Sequence, residues 1–208
     1  MKKGTWIVID GLDGCGKGTQ MELLKEKMSD EDTVFTREPG GTPYAEKIRE
    51  TILCVEAKNA NPLTELFLFL ASRSDHVEKL VFPALNQGKV VISDRADSSS
   101  WAFQIIGREN VSLKPYFLET RKWVYGDREP DMYIVLDLPP EVATLRTKKD
   151  TKRDQTHFDK RSLEFHQKVR DGFFEFAKMF PVRFVNAERS PEEVHADVWG
   201  ILKEILIK

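Results

Sequence analysis

The sequence predicts an α/β fold of three layers, a five-stranded parallel sheet with helices on both faces. Three observations carry this reading. Short apolar runs read as strands at Thr5 to Asp10, from near Val34, at Lys89 to Asp94, at Asp131 to Leu138 and at Val182 to Asn186. Each is continuous rather than alternating, as strands buried on both faces are. Helical stretches alternate with them, over about 18–28, 43–54, 63–87, 97–125, 140–148, 160–179 and 191–207, and strands alternating with helices imply a parallel sheet. No internal repeat, low-complexity tract or Pro/Ser-rich linker divides the 208 residues. That length suits one domain, 1–208, with its own core.

The elements follow from local chemistry. "TWIVID" is a β-branched run that stops at Gly11. "KVVISD" ends on a carboxylate, Asp94, and "DMYIVLDL" and "VRFVN" complete the buried runs. The last helix starts on "SPEE", with Ser190 as cap, proline in the first turn and acids behind it. The long polar interruption "RTKKDTKRDQTH", Arg146 to His157, reads as a segment inserted between two helices, not as a domain boundary.

Composition narrows the function classes. Basic and acidic residues nearly balance, 32 against 34, for a formal net charge of −2. A duplex-DNA binder usually carries a basic excess, so no nucleic-acid partner is expected. Cys15 and Cys54 make neither a metal-site spacing nor a disulfide framework. His76, His157, His166 and His195 lie far apart and form no ligand pair. No apolar run approaches the roughly 18 residues of a membrane span, and "MKKGTW" enters a strand without a signal-peptide core. A cytoplasmic protein with no membrane partner is expected.

"GLDGCGKGTQ" carries the chemistry. Gly11, Gly16 and Lys17 have the spacing of a P-loop, after a strand and before a helix. Glycines let successive N–H groups curl inward onto phosphate oxygens, and the helix N-terminus adds its positive end. Gly11, Gly14, Cys15, Gly16, Lys17, Gly18 and Thr19 are therefore the candidate nucleotide-binding residues, with Lys17 supplying a full charge. The usual hydroxyl after the lysine is displaced by one place, from Gly18 to Thr19. This "GKGTQ" form is similar to that of adenylate kinase and its relatives. Thr19 and the strand-terminal Asp94 are the candidate magnesium-shell residues.

Arginines mark an acceptor. Arg37 and Arg95 directly follow predicted strands, and Arg73 lies in "FLASR". Loops at the carboxyl ends of strands are where such sheets bind ligands, and guanidinium forks suit oxyanions. A phosphate acceptor is already an anion and needs neutralisation and alignment rather than a base.

The chain resembles the thymidylate kinase family of P-loop nucleoside monophosphate kinases. The matching segments are "GLDGCGKGTQ", "TREPGGTPYAEKIRE", "LFLFLASRSDH", "SDRADSSSWAFQ", "PDMYIVLDLPPEVA" and "LEFHQKVRDGF", which recur in the family's order over nearly the whole chain. The resemblance implies a P-loop kinase fold with a short lid over about 146–157. It implies transfer of phosphate from ATP, with magnesium, onto dTMP, and a homodimer. Asp13 would meet the acceptor's 3′-hydroxyl, and Arg37 and Arg95 would hold its phosphate. Phe69 would stack on thymine, and Arg73, one turn along the same helix, would bond the thymine carbonyl. Ser100 and Gln104 would line the base pocket. Phe103, where a tyrosine is usual, would lie against the 2′ carbon and favour deoxyribose, since a 2′-hydroxyl there would be buried unpaired. Some members carry an arginine where this chain has Gly14. Chains with glycine there draw the charge from the lid, here from Arg153 or Arg146, with Lys149 behind.

The chain departs from the family pattern at Gly18, Ala96, Phe103 and His157. Two other readings stay open: a broader deoxynucleoside monophosphate kinase, and a nucleotide-binding module weakened in catalysis.

Overall fold

The computed structural model describes residues 4–149, 156 and 158–207. Strands β1 (Thr5–Gly11), β2 (Thr33–Arg37), β3 (Val90–Asp94), β4 (Met132–Asp137) and β5 (Val182–Asn186) form one sheet in the order β2-β3-β1-β4-β5, every pair parallel. The chain leaves β1 for one edge, returns through β3 and then crosses to the other side. That reversal opens a crevice at the carboxyl ends of the strands beside β1. Register decides what lines it. Arg37 pairs with Asp94, Asp94 with Ile9, and Gly11 with Leu136, so four strand ends converge on one rim.

Both faces of the sheet are covered. Ile7 and Ile9 point into one core and Trp6 and Val8 into the other, all fully buried. Burial of each such side chain contributes about 1.5–3 kcal/mol, which fixes the strand against slipping by one residue. Helix α1 (Lys17–Lys25) and α9 (Pro191–Leu206) pack together, and the predicted cap of α9 is present as a capping box between Ser190 and Glu193. Helix α2 (Pro43–Leu53) starts at Thr42, whose hydroxyl accepts from Ala45 N at 3.2 Å. Among the described residues no helix is long and apolar enough to cross a membrane.

Two expected helices are not single α-helices. The stretch 63–87 runs as α3 (Pro62–His76), a wider π-type turn at Val77–Val81, and α4 (Phe82–Asn86). Pro83 has no N–H to return to the preceding turn, so the ladder loosens just before it. The stretch 97–125 divides fully. Helix α5 (Asp97–Ser100) widens into π-type turns at Trp101–Gly107, the chain breaks at Arg108–Asn110, and α6 (Lys114–Tyr125) begins after one tight turn. Glu109 holds a left-handed φ of 56° at the break, and Pro115 occupies the first turn of α6, the place a helix tolerates proline.

Beyond β4 lie α7 (Pro140–Lys149) and α8 (Leu163–Phe176). A Cβ on Gly172 of α8 would come within 2.8 Å of Ala102 Cα, so the glycine permits the close approach that seats the 101–107 segment. The first residues of the expected lid, Arg146 to Lys149, belong to α7. Residues 150–155 and 157, with Arg153 and His157 among them, lie outside the described residues.

Candidate active site

The glycine loop spans the five residues between β1 and α1. Gly11, Gly14 and Gly16 take φ of 140°, 84° and 96°, values that side chains rarely adopt. Close approach adds a second constraint. A Cβ at Gly14 would sit 2.5 Å from Ala143 O and 2.7 Å from Thr147 Oγ1, so α7 leaves no room for a side chain there. Gly18, inside α1, has nothing within 4 Å. Opposite effects follow. Gly14→Ala is expected to lower the thermal unfolding midpoint, since a strained φ alone costs about 1–3 kcal/mol. Gly18→Ala is expected to raise it, by the roughly 0.5–1 kcal/mol that separates the two residues within a helix. Shifts of the same sign in paired thermal melts would refute this account of the loop.

Lys17 is buried, and its Nζ donates to Gly11 O at 3.1 Å and Leu12 O at 2.9 Å. The ammonium thus lies over the loop it follows, with Cys15 Sγ at 3.7 Å. Burial pushes the Cys15 thiol up, which keeps it neutral and poorly reactive.

A second constellation ties this loop to β3. Arg95, just past β3, holds a left-handed φ of 69°. Its Nη1 donates to Asp10 Oδ1 at 3.1 Å, Gly11 O at 3.0 Å and Ser99 Oγ at 2.8 Å, and its Nη2 to Asp13 Oδ1 at 2.7 Å. The guanidinium lies 5.2 Å from the Phe103 ring centroid. Burial alone would weaken its charge, but Asp13, Asp10 and Asp94 outweigh it and raise its pKa. Asp10 is fully buried and also accepts from Gly11 N, Ser98 Oγ and Ser99 Oγ at 2.8, 2.6 and 2.8 Å. Burial still pushes its carboxyl above the usual range, against the pull of Arg95 and Ser98.

More positive charge gathers on the adjoining wall. Arg37 pairs with Glu46 at 2.9 Å, and Arg49 Nη1 donates to Pro39 O at 2.8 Å. Burial lowers the pKa of Arg49, and the nearby guanidiniums of Arg37 and Arg95 lower it further. Arg49 is thus repelled by two other guanidiniums, and positive charge gathered in this way suits an anion. Arg49 was not singled out from the sequence. Its signal was the "EKIR" turn of α2, which places it three residues after Glu46 on the same helix face.

These residues line one cavity of about 800 Å³. Asp13, Gly14, Cys15, Gly16, Lys17, Gly18 and Thr19 form its floor, with Asp94 beside them. Arg37, Arg49 and Arg95 form one wall. Phe69, Phe103 and Gln104 close the acceptor end, and Arg146 borders the opposite end, where its Nη1 donates to Ala187 O at 3.0 Å. Phe158, not singled out from the sequence, stands edge-on to both Phe69 and Phe103 with centroids 6.2 Å apart in each case. Gly11, Arg73 and Ser100 do not reach the cavity wall. Gly11 is held beneath the loop. Arg73 lies behind the wall, donating to Glu38 at 2.7 Å and Ser100 Oγ at 3.0 Å, with its Nη1 buried and unpartnered.

The donor set fits a magnesium shell. Asp94 Oδ1 is buried without a hydrogen-bond partner, an arrangement costly for a carboxylate unless a cation meets it. Thr19 lines the same floor, and hard oxygen donors are what magnesium takes.

A cavity joining a P-loop lysine to an arginine-lined wall suits ligands that carry phosphate groups. The sequence model described as thymidylate kinase matches residues 9–198. The chain belongs to the thymidylate kinase family. It is 40% identical over 206 residues to the thymidylate kinase of Symbiobacterium thermophilum, covering 97% of this chain and 94% of that one. The thymidylate kinase of Lactobacillus acidophilus is 39% identical over 211 residues, covering 99% and 97% of the two chains. The crystal structure of thymidylate kinase from Ehrlichia chaffeensis superposes with a TM-score of 0.78 at 28% identity, covering 96% of this chain and 99% of that chain. The resemblance carried by the motifs thus extends through the whole fold.

Proposed function

We propose that the protein transfers the γ-phosphoryl group of ATP to dTMP, giving dTDP and ADP. The observation that carries this is the continuous cavity from the Lys17 loop to Arg37, Arg49 and Arg95. A phosphate oxygen of dTMP attacks the γ-phosphorus as the bond to the β–γ bridging oxygen breaks. That nucleophile is already an anion, so no general base is required. The loop N–H groups and Lys17 take the negative charge of the triphosphate, and the arginines align the acceptor and screen its charge. Asp13, held by Arg95, would accept from the sugar 3′-hydroxyl. Phe69 and Phe158 supply flat apolar surface for the base, and Phe103 supplies it for the deoxyribose. Arg73 and Ser100, bonded to each other behind the wall, would support the base pocket from there. Thr19 and Asp94 would hold magnesium, which would supply positive charge to neutralise the phosphates. Arg146 and Arg153 are the candidates for lid charge over the triphosphate.

The homodimer fits the exposed apolar residues of α2 and α3, Tyr44, Leu63 and Phe67, and the protein is read as cytoplasmic. The deciding experiment is a coupled assay with ATP and magnesium on dTMP, dUMP, dGMP and dAMP. The expected result is turnover of dTMP above all others. Equal or better turnover of a purine would overturn the assignment in favour of a broader kinase, and no dTDP at all would favour a binding module.

A further inference from the structure

One polar contact at the acceptor end has a direction that chemistry fixes. Gln104 lines the cavity, and its Nε2 donates to Glu65 Oε1 at 3.0 Å. The two ends of an amide look alike in shape, but a carboxylate can only accept. The –NH2 end must therefore face Glu65. Glu65 is itself buried in the first turn of α3, held by an ion pair with Arg108. The backbone of Gln104 is pinned as well, since Asn110 Nδ2 donates to its carbonyl oxygen at 3.1 Å. The side-chain Oε1 meets no donor among the described residues and, unlike Arg73 Nη1, is not a sealed orphan. With one N–H of the –NH2 group committed to Glu65, the end of the amide turned away from the carboxylate is the acceptor Oε1.

We propose that Glu65 is a positioning residue for specificity: with Arg108 it locks the Gln104 amide so that the acceptor pocket demands a base carrying a ring N–H. This rests on the cavity being the nucleotide acceptor site. Thymine and uracil carry an N–H at N3 and satisfy the oxygen. Cytosine presents a lone pair there, so two acceptors would face each other in a buried pocket. A site built around one polar group rejects the ligand of wrong polarity more strongly than it rejects a change of size. Arg108 closes the 101–107 segment four residues after Gln104, so the two side chains share one face and meet Glu65 together.

The test is the ratio of kcat/KM for dTMP over dCMP in three proteins. Glu65→Gln lets the Gln104 amide turn over, because a glutamine at 65 can donate as well as accept. The ratio is expected to fall at least about tenfold, with dCMP gaining while dTMP loses. Gln104→Leu, which removes the amide and leaves Glu65 paired with Arg108, is expected to bring the ratio down as well. A merely structural role for Glu65 would lower both substrates together and leave the ratio unchanged, and that result in folded Glu65→Gln overturns the proposal. Where that variant does not fold, an unchanged ratio in Gln104→Leu overturns it. The same contrast is read without catalysis by calorimetric binding of dTMP and dCMP. A wild-type protein that binds dTMP over dCMP but forms no dTDP would overturn the kinase reading while supporting this one. Equal binding of the two by wild type would overturn this one.

Discussion

Replacing Lys17 by alanine is expected to cut turnover by at least about 10²-fold, equivalent to about 2.7 kcal/mol in the barrier. The ammonium is the one full positive charge in the glycine loop, and it lies against the carbonyls of Gly11 and Leu12. Phosphoryl transfer asks little covalent chemistry of the protein, so positioning and charge stabilisation supply most of the rate. Alanine removes both at the donor end and leaves Arg37, Arg49 and Arg95 intact at the acceptor end. The loss should therefore appear in kcat, while dTMP affinity measured by calorimetry changes little. Folding should survive, since the glycines and the strand–helix junction set the loop's shape. A Lys17→Ala protein with wild-type kcat in the coupled assay would remove the loop from the chemistry altogether.

The parts of this site that could be read in the sequence were those with local signals. The P-loop depends on glycine at positive φ and on a lysine at fixed spacing, and both are visible in twelve residues of text, "IDGLDGCGKGTQ". Strands buried on both faces read as continuous apolar runs, so β1, β3, β4 and β5 were clear. What was missed depends on convergence. Asp10 looks like the end of a strand, but register sets Ile9 beside Asp94 and so delivers Arg95 onto it. Arg49 is an ordinary helix arginine until α2 packs on α3 and brings it to the rim. Phe158 follows a polar stretch that carries no periodic signal. The break at Arg108–Asn110 was hidden because the helical period of the flanking segments runs through it. Conversely, Arg73 and Ser100 share helix faces with Phe69 and Gln104, yet only the latter pair lines the cavity. In each of these two segments one residue faces the cavity, and its neighbour a turn away supports the wall.

Arg95→Lys is expected to lower kcat/KM for dTMP by at least about 10²-fold, although the charge is kept. The reason is geometric. Two nitrogens of one guanidinium reach Asp10, Gly11 O, Ser99 and Asp13 together, and the plane lies over Phe103. A lysine is a point charge with no fork and cannot hold Asp13 and Asp10 at once. Asp13 would then lose its orientation toward the sugar, and the acceptor phosphate would lose a planar partner. Arg95→Ala separates this positioning role from stability. It leaves Asp10 fully buried with its ion pair gone, a change that costs about 3–5 kcal/mol when a buried pair is broken. Its pH dependence has a definite sign. The Asp10 carboxyl is already raised by burial in the folded protein, so between the unfolded and folded pKa values the native state holds the extra proton. Stability therefore falls as pH rises through that window. Removing Arg95 raises the folded pKa further and widens the window upward. Thermal melts of Arg95→Ala should accordingly show a deficit against wild type that is larger at neutral than at weakly acidic pH. A deficit independent of pH would mean that Arg95 does not set the protonation of Asp10, and the account of the pair would fall.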